Sequence, residues 1–183
     1  MPSYGLRGLF LALMLVLSLC VAQTSIGQEV SLSKVAGTWK LVSLENLRPN
    51  GEVVYESMGR HPVGLMIYDP TGHVSVQVMR DPRPATFGTR GPSAATPEEI
   101  NAAFRGYSAH FGTYEVKEKE ATMSSSVSTI LHHVEASLLP DDVGTTYTRQ
   151  VVEFSGDRMI QTGYPYQWDR ELRVNRWTWE RVK

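Results

Sequence analysis

Two adjacent histidines, His132 and His133, are the most distinctive residues in this sequence with side chains suited to proton transfer. Successive residues of a β-strand point to opposite faces, so the pair cannot line one pocket unless a bulge separates them. Ile130 and Val134 share the alternation of His132. We therefore expect His132 to point into the protein and His133 to point outward, beside Glu135.

An inward His132 has three possible roles, and the sequence leaves all of them open. It is a core histidine with its hydrogen bonds satisfied, a polar anchor for a ligand, or a general base. In the last case Tyr114 is the candidate that stabilises developing charge. The other histidines, His61, His73 and His110, lack the spacing of a zinc site. We expect neither a bound metal nor a cofactor.

Motifs typical of the common enzyme classes are absent. The sequence contains no Gly-x-Ser-x-Gly elbow, no phosphate-binding loop and no dinucleotide fingerprint. Ser31 and Lys34 have Ser-x-x-Lys spacing, but they stand alone near the start of the chain. Basic residues form no stripe suited to nucleic acid. We therefore expect a binding protein rather than an enzyme, with no nucleic-acid partner.

The segments that must position these residues are short runs rich in β-branched and aromatic residues, each ended by Gly, Pro, Asp or Asn. Turn sequences such as Asp69–Gly72 separate several of the runs. The predicted strands cover residues 36–45, 52–57, 63–69, 73–80, 111–118, 122–137, 144–154, 157–164 and 171–182.

One helix interrupts the strands. Thr96 is a good N-cap, Pro97 suits the first turn, and the two glutamates that follow favour the positive end of the helix dipole, which predicts a helix as far as Tyr107. The preceding Pro-rich segment, 81–95, is either a lid over a binding site, together with Met79, or a mobile insertion. Eight or nine sequential strands with one short helix predict an all-β, up-and-down antiparallel barrel. A barrel of that size holds side chains or one small ligand.

Several motifs on these strands resemble those of the lipocalin-like domain family, small exported β-barrel proteins of the calycin type. They are Gly37-Thr38-Trp39, the run 64–69, the run 72–77, the run 111–116, the run 132–135 and the closing run 179–182. The resemblance extends from about Val35 to Val182. It implies a lipocalin-like barrel with a small, largely apolar ligand, and it implies that Arg181 packs on Trp39 at one end.

Candidate ligand-binding residues are polar or aromatic side chains on different strands, which suit a mixed cavity. They are Tyr68, Gln77, Tyr114, His132, Trp177 and Trp179. Both faces of 63–69 and 73–79 carry apolar groups, so the inward orientation of Tyr68 and Gln77 rests on the family resemblance. Simple core packing is an equal alternative for the whole set. Arg149 and Glu153 share the alternation of one strand, which predicts a solvated surface pair.

The chain of 183 residues has 18 basic and 19 acidic side chains, so its charge attracts neither nucleic acid nor anionic membranes. Residues 1–22 have the charged start, apolar centre and small-residue exit of a cleaved signal peptide. This predicts a periplasmic or secreted protein without a stable membrane anchor. Residues 23–34 are then a flexible segment and 35–183 the barrel domain.

The hypothesis favoured by these observations is an exported protein, monomeric or weakly dimeric, that holds a hydrophobic or amphipathic small molecule inside a barrel. Two alternatives remain. One is a barrel enzyme, an isomerase or cyclase, that uses His132 and Tyr114 on a hydrophobic substrate. The other is a structural envelope protein whose barrel is filled by its own side chains.

Overall fold

A computed structural model describes residues 30–55, 58–84, 86–87, 91–117 and 127–183. Its elements are two α-helices, α1 (Leu32–Val35) and α2 (Pro97–Arg105), and ten strands. The strands are β1 (Gly37–Leu47), β2 (Val53–Val54), β3 (Val63–Tyr68), β4 (His73–Met79), β5 (Tyr107–Lys117), β6 (Ser128–Ser137), β7 (Thr146–Phe154), β8 (Arg158–Thr162), β9 (Tyr166–Trp168) and β10 (Glu171–Arg181).

Eight of these strands form a closed antiparallel barrel. Strands β1, β3 to β8 and β10 pair in chain order, and β10 returns to pair with β1. Short strands β2 and β9 extend β1 and β10 at the opposite ends of the strand order. The predicted all-β, up-and-down lipocalin-like barrel is confirmed.

Several predicted boundaries were wrong. Within its described residues, 52–55, the strand expected at 52–57 has only two residues, and β5 begins at Tyr107, directly after a helix that is shorter than expected. Strand β9 was not predicted. The start of the long strand expected at 122–137 lies outside the described residues, and its described part is β6.

Alternation along each strand divides the barrel wall into an inner apolar face and an outer face. The fully buried side chains come from every part of the barrel and include Trp39, Met66, Tyr68, Ile130 and Met159. Bulges in β1, β6 and β7 shift the alternation by one residue. The bulge in β7 lets both Val151 and Phe154 face the core.

Arg181 closes one end of the barrel. Its guanidinium lies 4.3 Å from the centre of the Trp39 ring and donates hydrogen bonds to the carbonyls of Ala36 (2.7 Å), Lys34 (2.6 Å) and Gly156 (3.0 Å). Gly37, at φ 137°, has no Cβ, and a Cβ there would lie 2.5 Å from Arg181 Nη1. The expected contact of Arg181 with Trp39 is confirmed, and the glycine two residues before Trp39 gives the guanidinium its space.

The segment before the barrel also contributes to this end. Val30 and Val35 are buried in the core cluster, and the Trp39 indole donates a 2.8 Å hydrogen bond to the Val35 carbonyl. The last part of the segment that the sequence predicts to be flexible, from Val30 onward, thus packs against the closed end of the barrel. The predicted signal peptide lies outside the described residues. Within them, no helix is long and apolar enough to cross a membrane.

Helix α2 and the Pro-rich segment lie against the outer wall. The capping box of α2 is complete, because the Glu99 amide donates to Thr96 Oγ1 and the Thr96 amide donates to Glu99 Oε2. Met79 and Tyr107 project outward from β4 and β5, and with Phe87 and α2 they line an apolar cleft of about 670 Å³. The described part of the Pro-rich segment therefore borders a cleft outside the barrel, and its interpretation as a lid or as a mobile insertion stays a prediction.

Arg181→Lys tests the closure of this end. A lysine keeps the charge but loses the planar fork that reaches three carbonyls and stacks on Trp39. Because three hydrogen bonds and one cation–π contact are weakened, we expect the free energy of unfolding to fall by about 2–4 kcal/mol. Urea unfolding measures this change. Arg158→Lys on the surface is the control. An equal change in both variants would contradict the proposed role of Arg181.

Candidate functional site

A layer of polar and aromatic side chains crosses the barrel interior above the closed end. Six strands contribute to it: β3, β5, β6, β7, β8 and β10. Register places His132 opposite Tyr147 and Gln161 opposite Trp177. The layer consists of Tyr68, His110, His132, Tyr147, Arg149, Gln161 and Trp177.

A hydrogen-bonded chain runs through the buried half of this layer. The Gln161 side-chain amide donates to the Tyr68 hydroxyl oxygen (3.1 Å), and that hydroxyl lies 2.7 Å from His132 Nε2. His132 Nδ1 lies 3.1 Å from His110 Nε2. Because Tyr68 already accepts from Gln161, the consistent arrangement has Tyr68 donating to His132 and His132 donating to His110. Both imidazoles are then neutral.

Burial and one nearby cation keep these histidines neutral. Loss of hydration and, to a smaller degree, the Arg149 charge lower the pKa of His110 to about 4. The same two causes, in the same order, hold the pKa of His132 well below its usual range. Burial raises the pKa of Tyr68, so its hydroxyl keeps its proton. The chain is therefore an uncharged network at neutral pH.

Arg149 is the charged group of the layer. Its guanidinium lies 4.3 Å from the centre of the Trp177 ring and 4.9 Å from that of Tyr147. Burial lowers the pKa of this guanidinium, and the hydroxyls of Tyr68 and Tyr147 partly offset the effect. Arg149, Tyr147 and Trp177 all keep part of their surface accessible although they point inward.

Three of the six sequence-predicted ligand residues meet in this layer: Tyr68, His132 and Trp177. Their inward orientation agrees with the prediction. Gln77 does not belong to the layer, because it is exposed on the outer face of β4, where it accepts a 3.2 Å hydrogen bond from the Tyr107 hydroxyl. Val76 and Val78, the residues on either side of it, occupy the inner face. The inward orientation expected for Gln77 was therefore wrong.

Tyr114 and Trp179 are buried nearer the closed end. The Tyr114 hydroxyl donates to the Asp69 carbonyl (3.0 Å), and its ring packs 4.6 Å from that of Tyr68. Trp179 pairs with Leu41 and Met159 across the neighbouring strands. Tyr68, rather than the predicted Tyr114, is the tyrosine whose hydroxyl contacts His132.

Other predicted contacts were wrong in their partners. His133 points outward as predicted, but its Nε2 lies 2.8 Å from Glu115 Oε1 on β5 rather than beside Glu135. The expected surface pair of Arg149 and Glu153 does not form, because the bulge after Val151 turns Glu153 outward, where it pairs with Arg158.

Sequence reasoning missed four residues of the layer: His110, Tyr147, Arg149 and Gln161. Arg149 and Tyr147 share alternation with buried Val151, which was a usable signal. The bulge that separates Arg149 from Glu153 leaves no such signal. Among the described residues, no group of three or more His, Cys, Asp or Glu side chains is placed to hold a metal ion.

Comparison with known proteins agrees with this architecture. A family model described as the lipocalin-like domain matches residues 36–182, so the chain belongs to that family. A 4'-hydroxy-3'-methoxypropiophenone carrier protein of Aspergillus oryzae is 38% identical over 93 residues, which cover 50% of this chain and 81% of the relative. A redesigned β-barrel of known structure aligns with a TM-score of 0.37 and 12% identity, over 84% of this chain and 96% of its own.

The buried histidines predict that stability falls in mild acid. The unfolded chain protonates its histidines near pH 6.5, whereas the folded chain protonates His110 only at about pH 4. Between these values the unfolded state binds more protons, so the free energy of unfolding decreases as the pH falls. The decrease from His110 is on the order of 3 kcal/mol.

Urea unfolding at several pH values between 7 and 4 measures this effect. His110→Gln should show a shallower decrease than the native chain, because it lacks one of the two buried imidazoles. His61→Gln, at an exposed position, is the matched control and should keep the native slope. An unchanged slope in His110→Gln would show that this histidine is not the source.

Proposed function

We propose that this protein binds one small aromatic or amphipathic molecule inside its barrel, against the face formed by Trp177, Tyr147 and Arg149. The observation that carries the proposal is the partial exposure of these three inward-pointing side chains. At the closed end, inward residues such as Trp39 and Met66 are at most 1% exposed. Arg149 and Trp177 lie well inside their strands, and in a filled barrel such side chains would be buried to the same degree. Their remaining exposure supports an open space above the closed end.

The groups around this space suit a molecule with an aromatic body and polar substituents. Trp177 and Tyr147 offer ring surfaces, and Arg149 offers hydrogen-bond donors. The relative from Aspergillus oryzae is named as a carrier of a hydroxylated, methoxylated phenyl ketone, which has this chemistry. Membership of the lipocalin-like domain family supports small-molecule binding in general.

A carrier role has more support than catalysis. A general base must reach its substrate, but His132 is 1% exposed and Tyr68 is 0% exposed, and each is occupied by the other. Their hydrogen-bonded network instead forms the side of the proposed site that faces the closed end of the barrel. We also propose that the protein is exported, on the basis of the signal-peptide pattern in residues 1–22.

Fluorescence titration with 4'-hydroxy-3'-methoxypropiophenone tests the binding site. The ligand should quench tryptophan emission in the native protein, and Trp177→Phe should remove most of the quenching and weaken binding about three- to tenfold, because the indole face is lost. Trp168→Phe is the matched control, since Trp168 is 47% exposed on β9. Equal quenching in both variants would place the ligand elsewhere.

A further inference from the structure

Arg149 is a cation inside the barrel without an acidic partner. No hydrogen bond or ion pair joins its guanidinium to another side chain or carbonyl within the part of the chain that the structure describes. Its contacts there are the ring faces of Tyr147 and Trp177. Arg149 is only partly accessible to water, and a charge held between protein rings without a counter-charge is costly, so proteins usually pair it.

The three arginines of β10 are paired. Arg173, 4% exposed on β10, lies 3.0 Å from Glu171. Arg176 forms a close ion pair with Glu45, and Arg181 binds three carbonyls at the closed end. Arg149 therefore differs from them in keeping its donors free of protein acceptors. The fold itself does not need an arginine that has no bonded partner.

The surroundings of Arg149 hold the guanidinium in place while leaving its N–H groups available. Trp177 and Tyr147 pack against it. Gly163 lies beside both groups, since a Cβ there would be in ordinary contact with Arg149 Nη1 (3.8 Å) and with the Trp177 ring (3.5 Å). Neutral His110 and His132 add no competing charge. The only described acid whose charge acts on His110 is Asp142, which accepts a 2.9 Å hydrogen bond from Ser137.

We infer that Arg149 is the anion site of the barrel and that the ligand is an aromatic carboxylic acid whose carboxylate pairs with this guanidinium. The inference rests on the proposed function and adds the chemical class of the ligand. The planar guanidinium fork matches a carboxylate with two parallel hydrogen bonds. One unit of positive charge balances one monoanion, which favours a carboxylate over a dianionic phosphate. The formal charge of the chain is -1, so any preference for an anion must arise locally.

The test compares an acid with its neutral counterpart in the same protein. The probes are 3-(4-hydroxy-3-methoxyphenyl)propanoate and its methyl ester, titrated by calorimetry at pH 7.4 into the native chain, Arg149→Gln and Arg149→Lys. Arg158→Gln is the matched control, because Arg158 is a surface arginine on the neighbouring strand, β8. Circular dichroism checks that each variant is folded.

The expected result is that the native protein binds the acid at least about tenfold more tightly than the ester. Arg149→Gln should abolish this preference, so that acid and ester bind with equal affinity. Arg149→Lys should keep part of the preference, because it keeps the charge without the fork. Arg158→Gln should behave like the native chain.

Two other results separate the inference from the proposed function. Equal binding of acid and ester by the native protein, unaffected by Arg149→Gln, would overturn the anion site and leave the binding function intact. Failure of the native protein to bind either probe at millimolar concentration would overturn both. If Arg149→Gln is unfolded, the ratio of acid to ester affinity is measured in Arg149→Lys instead. A ratio equal to that of the native chain would contradict the role of the planar guanidinium fork.

Discussion

The contact between Arg181 and Trp39 joins the last strand of the barrel to the first, and the rest of the interior depends on it. The guanidinium lies 4.3 Å from the centre of the Trp39 ring. It also donates hydrogen bonds to the carbonyls of Lys34 and Ala36, just before β1, and to the carbonyl of Gly156, in the turn before β8. One side chain of β10 thus contacts β1, the segment before β1 and the turn before β8 at the closed end of the barrel. Apolar side chains fill the space directly above it. The interior is therefore closed at this end, and any cavity must lie above it.

The layer above this core is polar, which is unusual for the centre of a small barrel. A buried hydrogen-bonded chain of Gln161, Tyr68, His132 and His110 satisfies its own members, and burial keeps both imidazoles neutral. A completely apolar layer would avoid the cost of dehydrating these groups. Arg149 adds a cation to the same layer with aromatic faces as its described contacts. This arrangement gives no advantage to a protein that only needs a stable core. A protein that binds a polar aromatic molecule gains a rigid hydrogen-bonded layer next to the ligand and a cation that binds it.

The sequence predicted the barrel because its signals are local. Strand alternation, the Asp69–Gly72 turn and the cap at Thr96 each act over a few residues, and all three appear in the structure. The inward orientation of His132 followed from the same alternation. The site was harder to predict because it depends on which strands meet across the barrel and on bulges. The bulge after Val151 separates Arg149 from Glu153, and the inner face of β4 is taken by valines, which leaves Gln77 outside. The alternation of Val74, Val76 and Val78 was a local signal for the outward position of Gln77. The bulge after Val151 has no local signature, since it depends on pairing between strands.

Native mass spectrometry of the protein purified without denaturation from the organism that encodes it tests the central claim most directly. Denaturing extraction of the same sample identifies any released molecule. The account predicts a reproducible additional mass of a few hundred daltons, bound one to one, and a released compound with an aromatic ring. A bare chain mass, together with an experimental structure in which Trp177, Tyr147 and Arg149 are packed on all sides by protein, would contradict it.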